Sequence, residues 1–89
     1  MIDSSPNNGD LDLGVQPLDV VLDELELSNH ELVSASTEQL THKQVQKARR
    51  GRRVTKNIQK KILHALNRAM EQRDEERRFA LRELFNYHP

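Results

Sequence analysis

The fold is decided by residues 28–51, which read SNHELVSASTEQLTHKQVQKARRG. Ser28 is followed three residues later by Glu31, and Thr41 is followed at the same distance by Gln44. Each pair is a capping box, in which the two residues satisfy each other's free backbone N–H groups at a helix N-terminus. The stretch therefore predicts two successive helices that begin at these caps.

A pair of apolar residues brackets each of the two caps. In a hydrophobic staple, the residue just before the cap packs on the residue four positions after the cap. The pairs are Leu27 with Leu32 and Leu40 with Val45. The second helix is predicted to run from His42 to about Arg50. Gly51 then supplies the positive φ that helix ends commonly need.

Helices are also predicted on both sides of this stretch. Pro17 suits the first turn of a helix over residues 17–26, because the N–H that it lacks would have no partner there. Thr55 can cap a helix whose apolar residues recur every three or four positions until about Asn67. We find no alternating strand pattern, so the sequence predicts a small all-α protein of four or five helices.

Residues 68–85 are predicted to form a fifth helix. They contain no Gly or Pro, and Asp74 with Arg78 is a favourable i,i+4 ion pair. The middle of this segment is polar, whereas apolar residues gather at its end, namely Phe79, Leu81, Leu84 and Phe85. We expect this tip to pack on the first helices or on a second subunit.

Charge is separated along the chain, although the formal net charge is zero. Residues 1–40 carry nine acidic residues and no Lys or Arg, and residues 41–68 carry ten basic residues and no acid. A solvated helix face usually mixes both signs, so the basic block indicates a surface for phosphate or for an acidic protein. Residues 1–16 are polar and acidic, and we expect them to form a flexible tail.

Composition and motifs disfavour several classes of protein. The chain has no cysteine, 3% aromatic residues and no apolar run of membrane-spanning length or signal-peptide order, so we expect a cytoplasmic location. Asp19 with Asp23 is explained by a solvated helix face rather than by acid–base catalysis. We expect neither a cofactor nor enzymatic activity, because nucleophile and Gly-rich phosphate motifs are missing. The histidines lack the spacing of a metal site: His30, His42, His64 and His88.

From residue 28 to about residue 66 the sequence resembles the phage repressor and Cro family of XRE-type helix-turn-helix domains. The residues that carry the resemblance are Ser28, Leu32, Leu40, Thr41, Val45, Gly51, Ile58, Ile62 and Leu66. It implies a lambda-repressor-like helix bundle whose third helix reads DNA. Leu32 and Leu40 are eight positions apart, two more than is usual in the family, so Ser36 to Gln39 must form a longer turn.

The resemblance also implies which residues contact DNA. If Val45 and Ala48 face the core, the candidate base contacts are His42, Lys43, Gln44, Gln46 and Lys47. Lys can reach guanine, Gln can pair with adenine, and His can donate in the same groove, although Gln44 can instead be used in its capping box. Helix N-termini and the Arg-rich loop supply the candidate phosphate contacts, which are Ser28, Asn29, Thr41, Arg49, Arg50, Arg52, Arg53, Thr55 and Lys56.

The resulting hypothesis is a sequence-specific protein for double-stranded DNA that regulates transcription. Residues 17–67 are expected to form the DNA-binding domain, and residues 68–89 a C-terminal helix for docking or dimerisation. Because regulators of this family often bind paired half-sites as dimers, the tip from Phe79 to Phe85 is the candidate homodimer surface. Two alternatives remain. The basic face could bind an acidic protein or the chain's own acidic segment, or it could bind structured RNA, whose narrow major groove fits a helix less well.

Overall fold

The computed structural model describes residues 13–88, in which five helices form. They are α1 (Pro17–Glu24), α2 (Asn29–Ala35), α3 (His42–Arg50), α4 (Lys56–Gln72) and α5 (Leu81–Leu84). The prediction of a small all-α protein is confirmed. Within residues 13–88, no helix combines the length and the apolar character that crossing a lipid bilayer requires.

Both predicted capping boxes form. The hydroxyl of Ser28 accepts from the N–H of Glu31 at 3.1 Å, and the carboxylate of Glu31 accepts from the N–H of Ser28 at 3.0 Å. Thr41 and Gln44 make the same two bonds at 3.1 and 3.0 Å. Each cap contributes about 1 kcal/mol of stability and fixes the first residue of its helix. The predicted bounds of α3 are confirmed as a result.

The core draws on every helix and centres on α4. The largest fully buried apolar side chains are Leu18, Leu22, Leu32, Val45, Ile62, Leu66, Met70 and Leu84. α4 packs against α2, α3 and α5, and α1 packs against α3 and α5. All four staple residues, Leu27, Leu32, Leu40 and Val45, are buried as predicted. One side of α3 is thus covered by α1, α2 and α4, and its other side remains exposed.

The connection between α2 and α3 is a turn organised by one serine. The Oγ of Ser36 accepts from the N–H of Glu38 at 3.0 Å, and its O–H donates to the carbonyl of Glu38 at 3.0 Å. Leu40 is 6% exposed and anchors the far end of the turn in the core. The hydroxyl and the buried leucine together define the path of the long turn.

Three helices end on a residue in the left-handed conformation. Gly51 follows α3 with φ 94°, Glu26 follows α1 with φ 54°, and Asp74 follows α4 with φ 59°. In each case the N–H of the next residue donates to the carbonyl five positions earlier, which is the Schellman arrangement. Only the end at Gly51 could be predicted, because no sequence pattern indicates that an acidic residue takes a positive φ.

Two predicted helix boundaries differ from those in the structure. α1 stops at Glu24 instead of residue 26, since Glu26 already leaves the helix. α4 passes Asn67 and continues to Gln72. Its apolar pattern extends through Ala69 and Met70, which are 4% and 1% exposed, so packing against the core carries the helix further than predicted.

The predicted helix over residues 68–85 does not form. Its first five residues belong to α4, residues 75–80 are not helical, and only α5 is helical after them. Asp74 ends α4 with its left-handed backbone, so the predicted i,i+4 pair with Arg78 has no helix to support it. Arg78 donates instead to two nearby backbone carbonyls at 2.7 and 2.9 Å.

The apolar tip docks inside its own chain. Phe79, Leu84 and Phe85 are 5%, 0% and 4% exposed, and Leu81 is half-buried. α5 packs on α1 and α4, and Asn67 exchanges two hydrogen bonds, of 2.8 and 3.2 Å, with the backbone of Phe79. Of the two alternatives for the tip, packing on helices of the same chain is observed, so Phe79, Leu84 and Phe85 have little surface left for the predicted homodimer contact of Phe79, Leu81, Leu84 and Phe85.

Residues 13–16 are anchored to the fold, which corrects the expectation of a flexible tail as far as residue 16. The backbone N–H groups of residues 13 and 16 donate to carbonyls at the end of α3, at 2.8 and 3.3 Å. Gln16 is fully buried, and its Oε1 accepts from the N–H of Asn86 at 2.9 Å. The remainder of the predicted tail, residues 1–12, lies outside the described residues.

Candidate nucleic-acid interface

α3 divides into a core face and a solvent face. Val45 and Ala48 are fully buried, as the sequence predicts. The exposed residues of the helix are His42, Lys43, Gln46, Lys47 and Arg50. Residues three and four positions apart share a side of a helix, so Lys43, Gln46, Lys47 and Arg50 lie together. Every one of these side chains carries hydrogen-bond donors, and three are permanently charged.

A shallow depression lies on this solvent face. The described residues that line it are Lys43, Gln46, Lys47, Arg50 and Arg52. Four of them are cations and none is acidic, so no carboxylate among them neutralises the local positive potential. Arg52 belongs to the loop after α3 and extends the cationic surface beyond the helix. A surface of this kind attracts polyanions over several ångströms.

Gln44 is used in the cap of its own helix. It is half-buried, and its Oε1 accepts from the N–H of Thr41 at 3.0 Å. Of the two roles considered for Gln44, the structural one is observed. The hydroxyls of Ser28, Thr41 and Thr55 likewise accept from backbone N–H groups three residues later. These hydroxyls serve to define helix N-termini, whose partial positive charge favours anions.

Arg49 is bound inside the chain by three hydrogen bonds. Its side chain is 15% exposed, and its Nε donates to Asp19 at 2.6 Å. Its Nη2 donates to Asp23 at 2.8 Å, and its Nη1 donates to the Oδ1 of Asn29 at 2.8 Å. Asp19 and Asp23 are thus ion-pair partners rather than a merely solvated face. Arg49 joins α1, α2 and α3, and its charge is balanced within the fold.

Asn29 connects this ion-pair network to the solvent face of α3. It is the first residue of α2, and its Nδ2 donates to the Oε1 of Gln46 at 3.0 Å. The carbonyl end of the Gln46 amide therefore has a partner within the chain, and its Nε2 can donate outward. The contacts run from Asp19 through Arg49 and Asn29 to Gln46, so the orientation of this exposed amide depends on a half-buried ion pair.

The other predicted phosphate contacts follow α3 along the chain. Arg50, Arg52, Arg53 and Lys56 are exposed. The Nη2 of Arg53 donates to the carbonyl of His88 at 3.4 Å, and Lys56 is the first residue of α4. These cations thus lie along the short connection between the end of α3 and the N-terminus of α4.

A pair of stacked histidines forms that no sequence pattern predicts. The rings of His30 and His42 lie 5.5 Å apart between centroids with an interplanar angle of 18°, and two of their nitrogens are 3.4 Å apart. His30 lies in the first turn of α2, and His42 begins α3, so the stack marks the proximity of the two helix N-termini. Within residues 13–88, no group of three or more potential ligand side chains is arranged to hold a metal ion.

The cap of α2 is also an electrostatic site. Hydrogen bonds from the backbone and side chain of Ser28 lower the pKa of Glu31, and the nearby Arg73 lowers it further. The Nη2 of Arg73 lies 3.4 Å from the Glu31 carboxylate, and its Nη1 donates to the carbonyl of Leu25 at 2.7 Å. The end of α4 is thereby fastened to the connection between α1 and α2.

The exposed side chains of α3 and of the loop after it form one polar and cationic surface. We name it the α3 surface and define it by His42, Lys43, Gln46, Lys47, Arg50 and Arg52. Asn29 and His30 border it from α2. In comparisons with known proteins, no family model, no curated protein and no solved structure matches the chain.

Proposed function

We propose that this chain binds double-stranded DNA, and that α2, the turn and α3 act as a lambda-repressor-like helix-turn-helix unit. The observation that carries the proposal is the α3 surface, where cations and neutral donors are exposed together on one side of a well-anchored helix. The major groove of B-DNA is about 12 Å wide and admits an α-helix. Because Val45 and Ala48 bury only one side of α3, the opposite side is free to enter such a groove.

Base contacts are assigned to four side chains of α3. Lys43 and Lys47 can each donate to O6 and N7 of guanine. His42 stands at the first position of the helix, where its ring can approach a base edge. Gln46 differs from the expected adenine-binding glutamine, because its Oε1 already accepts from Asn29. Its free Nε2 group favours acceptor atoms such as guanine O6 and N7 or thymine O4.

Phosphate contacts are assigned to the cations around α3. Arg50, Arg52, Arg53 and Lys56 are exposed, and the first turns of α2 and α4 add backbone N–H groups with partial positive charge. Arg49 is left out of this set, because its guanidinium is paired with Asp19 and Asp23. Its proposed contribution to DNA binding is indirect: Arg49 holds Asn29, which in turn holds Gln46.

A regulator of transcription can act by occupying its DNA site. The described residues contain one compact helical unit, and the surface proposed for DNA takes up most of the exposed side of α3. We therefore assign regulation to occupancy of DNA or to recruitment of a partner protein.

The proposal is tested by selection from a randomised duplex DNA pool with the wild-type chain, Lys47→Ala and Lys60→Ala. Lys60 is an exposed lysine of α4 outside the α3 surface, so its variant removes the same charge without touching that surface. We expect the wild type and Lys60→Ala to enrich the same motif. Lys47→Ala should lose about 1–3 kcal/mol of discrimination at the base that it contacts.

Salt dependence separates base contacts from phosphate contacts. Replacing Arg52 with Ala should weaken binding to all sequences and reduce the slope of log K against log salt by about 1. Retention of DNA without an enriched motif would limit the function to nonspecific phosphate binding. A chain that retains no duplex DNA at low salt would refute the proposal and leave an acidic protein segment as the partner of the basic face.

A further inference from the structure

The side-chain amide of Gln46 is oriented by a residue that does not belong to α3. Asn29 is the first residue of α2, and its Nδ2 donates to the Oε1 of Gln46 at 3.0 Å. The bond joins two helices across 17 positions of the chain. Asn29 is half-buried, whereas Gln46 is exposed on the α3 surface. An inner side chain of α2 thus contacts one of the side chains assigned to base edges.

Arg49 leaves one orientation open to the amide of Asn29. An arginine has only N–H donors, so the atom of Asn29 that lies 2.8 Å from Arg49 Nη1 is the carbonyl oxygen Oδ1. The guanidinium is itself held, because its Nε and Nη2 donate to Asp19 and Asp23 at 2.6 and 2.8 Å. The Nδ2 of Asn29 therefore faces Gln46, and only an acceptor can bond to it there.

The same reasoning determines the orientation of Gln46. Because Asn29 Nδ2 can only donate, Gln46 turns its Oε1 inward and its Nε2 outward. Turning over the Gln46 amide alone would set two NH₂ groups against each other, and the lost bond disfavours this orientation about fivefold. Turning over both amides would set the Asn29 NH₂ group against the guanidinium of Arg49, where a bond to a charged group is lost. Gln46 therefore presents a pair of N–H donors to the solvent.

An outward NH₂ group distinguishes the bases of the major groove. Guanine presents two neighbouring acceptors there, N7 and O6, and thymine presents one, O4. Adenine presents its acceptor N7 beside an amino group, and cytosine presents only an amino group. The two donors of Gln46 are matched best by guanine and are opposed by the amino groups of adenine and cytosine. A glutamine with both ends of its amide available would instead pair with adenine.

We propose that Asn29 is a specificity-determining residue, which makes Gln46 select guanine instead of adenine. This inference rests on the proposed binding of DNA and adds the base that Gln46 selects and the residue that sets the choice. Asn29 needs no contact with a base for this effect. It is a positioning residue that acts through Gln46, and Arg49 fixes its own orientation.

The test reverses the polarity of the contact at Asn29. Asn29→Asp replaces the Nδ2 donor with a carboxylate oxygen, so the side chain can accept from both Arg49 and Gln46. The Gln46 amide should then turn its Nε2 inward and its Oε1 outward, where it accepts from the amino group of adenine or cytosine. The matched control is Asn57→Asp, which makes the same change at an exposed position in the first turn of α4.

The readout is base preference at a single position. Selection from a randomised duplex pool with Gln46→Ala identifies the base pair that Gln46 reads, because preference weakens at that pair. Affinities for four duplexes that differ only at this pair are then measured. The wild type and Asn57→Asp should prefer guanine over adenine by about tenfold. Asn29→Asp should prefer adenine or cytosine, while the added negative charge weakens binding to all four duplexes in both Asp variants.

Asn29→Ala is a second variant that adds no charge. Without the Nδ2 donor both orientations of the Gln46 amide are available, so the preference for guanine over adenine should fall about fivefold. Circular dichroism shows whether each variant is folded. If the folded variants of Asn29 keep the wild-type preference, this inference is overturned and the binding of DNA stands.

Two other results also overturn this inference alone. One is a wild-type motif that Gln46→Ala leaves unchanged, and the other is a wild-type preference for a base other than guanine at the pair that Gln46 reads. A wild-type chain that enriches no motif would overturn both this inference and the proposed sequence-specific binding.

Discussion

Replacing Arg49 with Met is expected to destabilise the fold by about 3 kcal/mol. The strongest of its three bonds joins Asp19, because the two side chains are only 15% and 31% exposed. A shielded hydrogen bond between charged groups contributes about 2 kcal/mol. Asp23 is 69% exposed, so water screens this second pair and it contributes about 0.5 kcal/mol. The bond to Asn29 adds a similar amount, and Met keeps most of the apolar contacts of the arginine stem.

Urea unfolding followed by circular dichroism measures this loss. With a slope of about 1.5 kcal/mol per molar urea, the midpoint should fall by about 2 M. The matched control is Arg50→Met, which removes the same charge from the next position. Because Arg50 is exposed, its variant should change stability by less than about 0.5 kcal/mol, while it weakens DNA binding.

A double-mutant cycle identifies the partner. Asp19→Asn should cost about 1 kcal/mol or more in the wild type and much less in the Arg49→Met background, because the pair is already broken there. Equal unfolding midpoints for Arg49→Met and Arg50→Met would refute the reasoning. That result would mean that the contacts of Arg49 contribute no more than those of a solvated surface charge.

Three further changes probe other parts of the fold. Gly51→Ala should cost more than about 2 kcal/mol in urea unfolding, because a Cβ at this positive φ would overlap the backbone carbonyl of Gly14; wild-type stability would contradict this. Asp74→Gly should raise the thermal midpoint by a few degrees, since glycine adopts φ 59° without strain; a lower midpoint would argue against strain there. Folding keeps the pKa of Glu31 below its ordinary value of 4.5, so its contribution to stability is present above that value and is lost as the pH falls from there through the lowered pKa. Glu31→Gln should therefore lose less stability over that interval than the wild type, and parallel losses would assign the acid sensitivity to other groups.

The parts of the fold that the sequence predicted are those set by neighbouring residues. Ser28, Thr41 and Thr55 cap their helices because a side-chain oxygen reaches a backbone N–H only three residues away. Gly51 ends α3 because glycine alone has no steric cost at φ 94°. The solvent face of α3 followed from the positions of Val45 and Ala48 at helical spacing.

The parts that were missed depend on residues distant in the chain. Arg49 was assigned to phosphate because its partners, Asp19 and Asp23, lie 30 and 26 positions away in a segment that reads as solvated. The stack of His30 on His42 depends on the angle between two helices, which no local pattern encodes. The end of α4 at Asp74 uses a residue that rarely takes positive φ, so packing, not propensity, decides it.

The packing partner of the docked tip also could not be predicted from neighbouring residues. The sequence marked Phe79, Leu81, Leu84 and Phe85 as residues that need a cover, and it left open whether α1 or a second subunit supplies it. The non-helical path of residues 75–80 decides this question, since it returns α5 to α1 and α4. Asn67 fixes that path through the backbone of Phe79, which is a contact between groups 12 residues apart.

The bond between Gln16 and Asn86 joins positions 70 residues apart in the chain. The helices and their caps can form from short-range contacts, whereas this bond closes a long loop and therefore carries a larger entropic cost, so we expect it to form late in folding. During synthesis, Gln16 has no acceptor or donor from the far end until residue 86 has been made. Because the bond brings both ends of the described chain to one place, a short flexible linker between residues 88 and 13 would make a circular permutant possible. Its new termini would lie in the exposed turn around Thr37, which leaves the core uncut.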